Sequence, residues 1–436
     1  MNIPYYRWSL IDQEDKARIL NRSETNISQV EKDVSLILED VQHRGDKALR
    51  DLTARFDSVD LTNIPLKATE AEFKAAVQKL DSKVKAAIDF AIENVTRYHQ
   101  AQVPQGMNFC EIRPGVLAGE RALPLDSVGL YVPRGRGSFP SMLYMLAIPA
   151  KLAGVQTIAI MTPPGEGGSL DPACLYAASR IGLRDVYRVG GAQGIAALAY
   201  GTESVPRVLK VIGPGNIYVS AAKRLLANRL DPGLPAGPSE SILWADCSAN
   251  PQQICLDLLI EAEHGADSSA LLVTDCSALA DKVVDLLPDM INQTPEPRKG
   301  FLTQVFSPKG YGGIILTDSP EACAEVINTY APEHLSIQTS SPWDQVSKVK
   351  HAGEILLGSS LPFSAANYLT GANAVLPTGG FAKTWSGVSV RDFLTYSSIV
   401  QATPQAYEDF KDHVITLAEY EGFPRHAAAL KDRPKK

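Results

Sequence analysis

No Cys-x-x-Cys pair occurs in this sequence; its six cysteines, Cys110, Cys174, Cys247, Cys255, Cys276 and Cys323, are scattered. That pattern predicts reduced, buried thiols that bind no metal, rather than a disulfide frame, and it fits a cytosol. Long apolar runs are missing as well. The most apolar stretch, MLYMLAIPAKLAGV, is interrupted by Pro149 and Lys151, and the N-terminus MNIPYYRWSLIDQED shows no basic-then-apolar leader pattern. A cytoplasmic protein without a membrane partner is expected. An excess of positive charge is absent too: 42 Lys and Arg stand against 49 Asp and Glu, a net charge of -7. This argues against a nucleic-acid partner. No Gly-x-Gly-x-x-Gly follows a predicted strand; the nearest stretch, PRGRGSFPS, has Pro140 where the last glycine belongs, and there is no P-loop. Repeats of fixed period and low-complexity segments are also lacking.

At 436 residues, 45% hydrophobic and 21% charged, the chain is globular in composition and too long for one ordinary core. Residues from Val30 to about Gln102 read as helical, with Val30, Val34, Ile37, Leu38 and Val41 at helical spacing. From there the texture changes. Short apolar runs (VGLYV, TIAIMT, VYRVGG, VLKVIG) alternate with helical stretches, and a second series (SILWAD, SALLVTD, GGIILTD) does the same after Ser241. Such alternation predicts an α/β fold with mostly parallel sheets covered by helices. The boundaries expected are a helical N-terminal region 1–105, a first α/β domain 106–238, a second 239–380 and a helical C-terminal region 381–436, broken at Gly422 and Pro424.

Candidate chemistry sits at element ends. YVPRGRGS and VIGPGNIYV each link an apolar run to a helix, so the N–H groups of Gly135, Gly137 or Gly215 could face phosphate oxygens, with Arg134 and Arg136 adding charge. Read singly, each is more often a plain strand-to-helix turn. Of the seven histidines, His43 and His99 lie in polar helical surroundings and are expected at the surface. His334, in YAPEHLSIQT, lies at an element end where catalytic groups are mounted. Glu261 and His264, three apart near the end of an apolar helix, read as two solvated neighbours or as half of a metal site. His426 follows Glu421 by five residues across a Gly/Pro break.

The set ERALPLDSVGLYVP, GGAQGIAALAYGTESVP, GPGNIYVSAAKRL, PAGPSES, AEHGAD, APEHL and LPTGG, in this order from roughly Val30 to Leu430, resembles the histidinol dehydrogenase family. The resemblance implies an NAD- and zinc-dependent homodimer with shared active sites and two atypical Rossmann-like domains. Its activity would be oxidation of L-histidinol through the aldehyde to L-histidine with two NAD. By motif, His334 would be the general base and Glu333 would activate the water that attacks the aldehyde. Tyr131, Gln193 and Asn216 match cofactor positions; Ser141, Ser239, Asn367 and Glu421 match substrate positions. Glu261, His264, Asn367 and His426 match the metal ligands, His426 coming from the partner copy.

Departures from the family pattern are specific. Glu261-Ala262-Glu263-His264 stands for Gln-Ala-Glu-His, and Ala366-Asn367-Tyr368 for Gly-Asp-Tyr, so a carboxylate and an amide have exchanged places at unchanged formal charge. On the substrate side, Ala374 replaces a histidine and Phe363 an acidic residue, which makes that wall larger and less polar. The expectation is a zinc-dependent NAD-linked dehydrogenase for a primary alcohol, either L-histidinol or an altered one, including an anionic alcohol met by Arg134 or Arg136. Two other classes stand beside it: a non-catalytic paralogue keeping the dimer as a binding scaffold, and a thiol-based aldehyde dehydrogenase. Against the latter, Cys255 reads as structural.

Overall fold

The structure is a computed structural model that describes residues 1–22, 27–134 and 137–433. Its strands in chain order are β1 (Tyr5–Arg7), β2 (Asn108–Arg113), β3 (Val116–Pro124), β4 (Ser127–Tyr131), β5 (Thr157–Met161), β6 (Val186–Tyr187), β7 (Lys210–Ile212), β8 (Glu240–Ala245), β9 (Ser269–Thr274), β10 (Gly313–Leu316), β11 (His334–Gln338), β12 (Glu354–Leu357) and β13 (Leu394–Ala402). The chain divides into two units, residues 1–102 with 126–393 and residues 103–125 with 394–436.

The first unit contains two parallel sheets, ordered β6-β5-β4-β7 and β1-β10-β9-β8-β11-β12. The interior strands are buried at nearly every position because helices cover both faces. In the larger sheet, Leu243, Leu272 and Leu356 pack with Ile254 and Leu258 of the helix Pro251–Ala262. Their strand neighbours Ile242, Leu335 and Ile337 face the other way, onto Val326 and Ile327 of the helix Pro320–Tyr330. His334, Ser336 and Gln338 therefore share the face of the helix Pro251–Ala262, and Gln338 donates to Asp257 on that helix at 2.6 Å. At the edge of the smaller sheet, Gly213 (φ 127) comes so close to Tyr131 that a Cβ would stand 2.1 Å from its carbonyl oxygen. The expected helical stripe is present: Val34, Ile37, Leu38 and Val41 of the helix Glu31–Arg44 join the core formed with the helix Gly191–Tyr200.

The second unit is an antiparallel sheet, β13-β3-β2, with the helices Pro404–Tyr420 and Pro424–Lys431. Thr403 caps the first of these through Ala406 N–H, and Gly422 takes a positive φ of 78 at the break between them. β13 falls in a stretch expected to be helical. Its LTYSSIVQA is exposed at most positions, so no buried face leaves an apolar alternation to read.

Two expectations are corrected. Cys247 and Cys276 are joined in a disulfide, and Cys110 is exposed. The two bonded residues follow the paired strands β8 and β9, which brings Cα atoms 29 residues apart in sequence to 5.4 Å; spacing along the chain carries no trace of that pairing. His99 is buried, not superficial: its Nδ1 meets Gln102 Oε1 at 2.8 Å and its Nε2 meets Asn373 Nδ2 at 3.2 Å. Among the described residues no helix is long and apolar enough to cross a membrane.

Arg188, 1% exposed, donates to Glu72 Oε2 at 2.7 Å and to Gly168 O at 2.6 Å. Glu72 also closes the capping box with Thr69 at the head of the helix Glu70–Lys79. Burial would raise the Glu72 carboxyl, but Arg188 and Thr69 outweigh it and hold the group below its ordinary value. Its stabilisation is therefore present above the ordinary carboxylate range and lost as pH falls through the lowered folded value. Glu72→Gln is expected to cost about 2 kcal/mol in urea denaturation at neutral pH, less than for a fully enclosed pair because Glu72 is partly solvated. The gap from wild type should narrow in acid, where the wild-type carboxyl is protonated as well.

Candidate active site

Three strands of the larger sheet begin at one edge with ionisable residues: Glu240 on β8, His334 on β11 and Glu354 on β12. The helix Pro251–Ala262, capped by Asn250, runs back antiparallel to the strands and delivers Glu261 and then His264 to that same edge. Chain entry into β11 is constrained. The helix Pro320–Tyr330 ends at Ala331, a non-glycine residue at φ 54, and Pro332 then directs the backbone into extended conformation. Arg22 lies 3.4 Å from the Tyr330 ring centroid and donates to the Tyr330 carbonyl, which fixes this turn from outside. Gly353 lets β12 approach, since a Cβ there would stand 2.6 Å from the Glu333 carbonyl oxygen.

The side chains form a mostly buried cluster, with His264 at its solvent side. Glu333 Oε2 accepts from Glu240 N–H at 2.9 Å, and its Oε1 lies 3.8 Å from His334 Nε2. His334 Nδ1 lies 3.0 Å from Glu354 Oε2, and the edge of the Phe363 ring covers the imidazole at a centroid distance of 5.7 Å. Asn367 Nδ2 donates to Glu261 Oε1 at 2.7 Å. His264 Nδ1 meets Ser239 Oγ at 2.8 Å and stands 3.2 Å from Glu261 Oε2. Burial pushes Glu333 up to about 8 although His334 opposes it, and pushes Glu240 up to about 7 against Arg22. For His334, burial acts downward, but Glu261, Glu333 and Glu354 outweigh it and lift the imidazole to about 10. Glu261 moves the other way: burial would raise it, and His334, His264 and the Asn367 amide hold it below its ordinary value.

Seven of the residues singled out in the sequence line one cavity of about 120 Å3: Ser141, Ser239, Glu261, His264, Glu333, His334 and Asn367. Its other walls include Met142, Met145, Ala374, Val375 and Leu376. Phe363 is not a wall of this cavity, contrary to expectation; it lies in the core beneath His334. Tyr131, Gln193 and Asn216 meet elsewhere, in a cavity of about 790 Å3 that Arg134 also lines. This larger space lies at the carboxyl edge of the smaller sheet. Tyr131 closes β4 and accepts from Gly191 N–H at 3.0 Å, its phenol pushed up to about 12 by burial. Asn216 caps the helix Ile217–Leu225 through Oδ1, leaving its amide N–H groups for a ligand. Pro214 lines the small cavity and Asn216, two residues on, the large one. Glu421 and His426 belong to the second unit, Glu421 ending the helix Pro404–Tyr420 and the His426 ring lying 5.1 Å from that of Phe423. Gly135 and Arg136 lie outside the described residues.

A donor set for a divalent cation can be tested on the cluster's own atoms. Glu261 Oε2 and Asn367 Oδ1 are buried without a hydrogen bond, on side chains that already touch each other, and the His264 imidazole is beside them. That set fits a cation only with the amide oxygen included, because among the described residues no three His, Cys, Asp or Glu side chains by themselves gather to hold an ion. A thiol nucleophile has no support. Cys255 is fully buried, its thiol pushed up to about 12 by burial. Glu240 and Glu354 were not anticipated from the sequence, since each is simply the first residue of an apolar run until strand register sets it beside Glu333 or His334.

An acid and an imidazole at the head of a parallel strand, with a larger cavity lined from a neighbouring loop, make this an α/β protein with a buried acid–base site. Comparison with known proteins gives the family. The family model described as histidinol dehydrogenase matches residues 20–434. Histidinol dehydrogenase of Synechocystis sp. is 47% identical over 416 residues, covering 95% of each chain. A histidinol dehydrogenase homolog of Rhizobium meliloti is also 47% identical, over 98% of this chain and 94% of its own. The crystal structure of histidinol dehydrogenase from Elizabethkingia anophelis superposes with a TM-score of 0.92 at 33% identity, covering 98% of this chain and 97% of that one. The chain belongs to the histidinol dehydrogenase family of NAD-linked dehydrogenases.

Gly353→Ala tests whether close approach of β12 holds the cluster. It is expected to lower stability by about 1–3 kcal/mol in denaturant titration, because neither the Glu333 carbonyl nor the new methyl can yield without moving a strand.

Proposed function

We propose that this protein oxidises a primary alcohol through the aldehyde to the carboxylate, with NAD as the oxidant at both stages. The observation that carries this reading is the Glu333–His334 pair at the head of β11, buried and facing the Glu261–Asn367 pair across one small cavity. His334 takes the hydroxyl proton as hydride leaves the carbinol carbon, and Glu333 takes a proton from the water that adds to the aldehyde. Two hydrides and two NAD balance the four-electron oxidation. Tyr131, Gln193 and Asn216 would hold the cofactor, which accepts the hydride when bound. Ser141 and Ser239 would orient the substrate.

Glu261, His264 and Asn367 would hold a zinc ion, and His426 would complete a four-ligand set from a second copy of the chain, with Glu421 reaching the substrate from the same side. Such an ion would offset the carboxylate charge around His334 and would polarise the alcohol oxygen. Support comes from the two buried oxygens that lack hydrogen bonds and from a donor set one short of four. The reading is of a homodimer with shared sites, working in the cytoplasm.

The tail of the substrate is less polar than the imidazole of histidinol. Ala374, Val375, Leu376, Met142 and Met145 are apolar walls of the cavity, and a polar tail gains no charge-assisted contact from them. A missing charge-assisted contact amounts to about 1.5–3 kcal/mol, or roughly 10–150-fold in kcat/KM.

NADH formation with L-histidinol and with a panel of amino alcohols and apolar primary alcohols tests both parts. Apolar-tailed alcohols are expected to exceed histidinol by at least about tenfold; histidinol as the best substrate would overturn the tail assignment, and no turnover of any alcohol the enzymatic one. For the metal, Glu261→Gln alone should lower bound zinc by elemental analysis, whereas Glu261→Gln with Asn367→Asp should retain it.

A further inference from the structure

We infer that Glu354 is a positioning residue that fixes the tautomer of His334. The two residues are register partners across β11 and β12, so their side chains project side by side from the same face of a parallel pair. Both are enclosed, at 3% and 7% side-chain exposure, and Nδ1 stands 3.0 Å from Oε2. Phe363 lies against the ring, and both backbones are tied into the sheet, Glu354 N–H donating to Glu333 O at 3.0 Å. A carboxylate accepts and has no hydrogen to give, so a neutral imidazole paired with one carries its hydrogen on Nδ1. The lone pair is then on Nε2, the nitrogen that lies 3.8 Å from Glu333 Oε1 and so on the side of the reacting groups.

In the opposite tautomer the basic nitrogen would point at Glu354, away from the cavity, and the ring would be inert as a base in place. Glu354 also stabilises the imidazolium formed once Nε2 has taken a proton, without receiving that proton itself. It touches neither substrate nor cofactor and acts only through His334. The inference rests on the reading of His334 as the base, while the tautomer assignment does not.

Glu354→Leu removes the acceptor altogether, so nothing holds the ring hydrogen on Nδ1 and the imidazole returns to its commoner Nε2–H form. The full-length enzyme is expected to lose about 10²–10⁴-fold in kcat with KM changed less than about threefold. Glu354→Asp, which can still accept, should recover part of that loss. In parallel, ¹H–¹⁵N correlation spectra of the imidazole, taken at a pH above its titration, should show the Nδ1–H form in wild type and the Nε2–H form in Glu354→Leu. Unchanged ring spectra in a Glu354→Leu protein that melts normally would overturn the inference. Should Glu354→Leu not fold, Nε2–H in wild type or in Glu354→Asp would overturn it equally. A clear tautomer switch in an enzyme that oxidises no alcohol would leave the positioning intact and remove the base assignment instead.

Discussion

Four glutamates, Glu240, Glu261, Glu333 and Glu354, are buried around a single imidazole, and the placing of that much carboxylate away from water governs the surrounding structure. An uncompensated buried charge costs several kcal/mol, so carboxylates placed here call for donors, cations or protons, although Glu240 Oε2, Glu261 Oε2 and Glu354 Oε1 have no hydrogen bond. The chain uses all three. Glu240 meets Gly379 N–H and Arg22, Glu333 takes the N–H of Glu240, and burial holds both acids toward their protonated forms. Arg22, from the start of the chain, thereby becomes part of a cluster whose other members lie more than two hundred residues away.

The exchange between Glu261 and Asn367 becomes intelligible as one physical unit. A glutamine facing an aspartate and a glutamate facing an asparagine make the same amide-to-carboxylate hydrogen bond, with the free oxygens left in the same relation. Either replacement alone would set two carboxylates or two amides against each other. In this chain the amide donates at 2.7 Å, and one oxygen on each partner remains without a hydrogen bond.

Much of this was legible in the sequence. The strands from VGLYV to GGIILTD stand out because both faces of a parallel sheet are buried and apolar runs mark them. The motif around His334 pointed to an element end, and the residues gathered at the small cavity were those the family resemblance indicated. What escaped reading depends on register or on partners distant in the chain. Glu354 looks like a surface residue beginning a strand until it is paired with His334; Cys247 and Cys276 look unrelated until β8 is set beside β9. The strand Leu394–Ala402 has no buried face to impose a pattern, and His99 reads as polar because its partners Gln102 and Asn373 are not apolar either.

The helix Pro251–Ala262 ends at the cluster instead of beginning there, and this orientation has an electrical consequence. Peptide dipoles sum along a helix to about half a negative charge at its carboxyl end. Phosphate-binding folds aim the opposite pole at their ligands. Here the backbone itself presents an electronegative terminus near Glu261 and His264, so the field there favours cationic species, and the Arg298 guanidinium already donates to the Glu263 carbonyl at that end at 2.7 Å. Anions would be discouraged from that corner by main-chain geometry alone, which no substitution at the lining side chains would abolish.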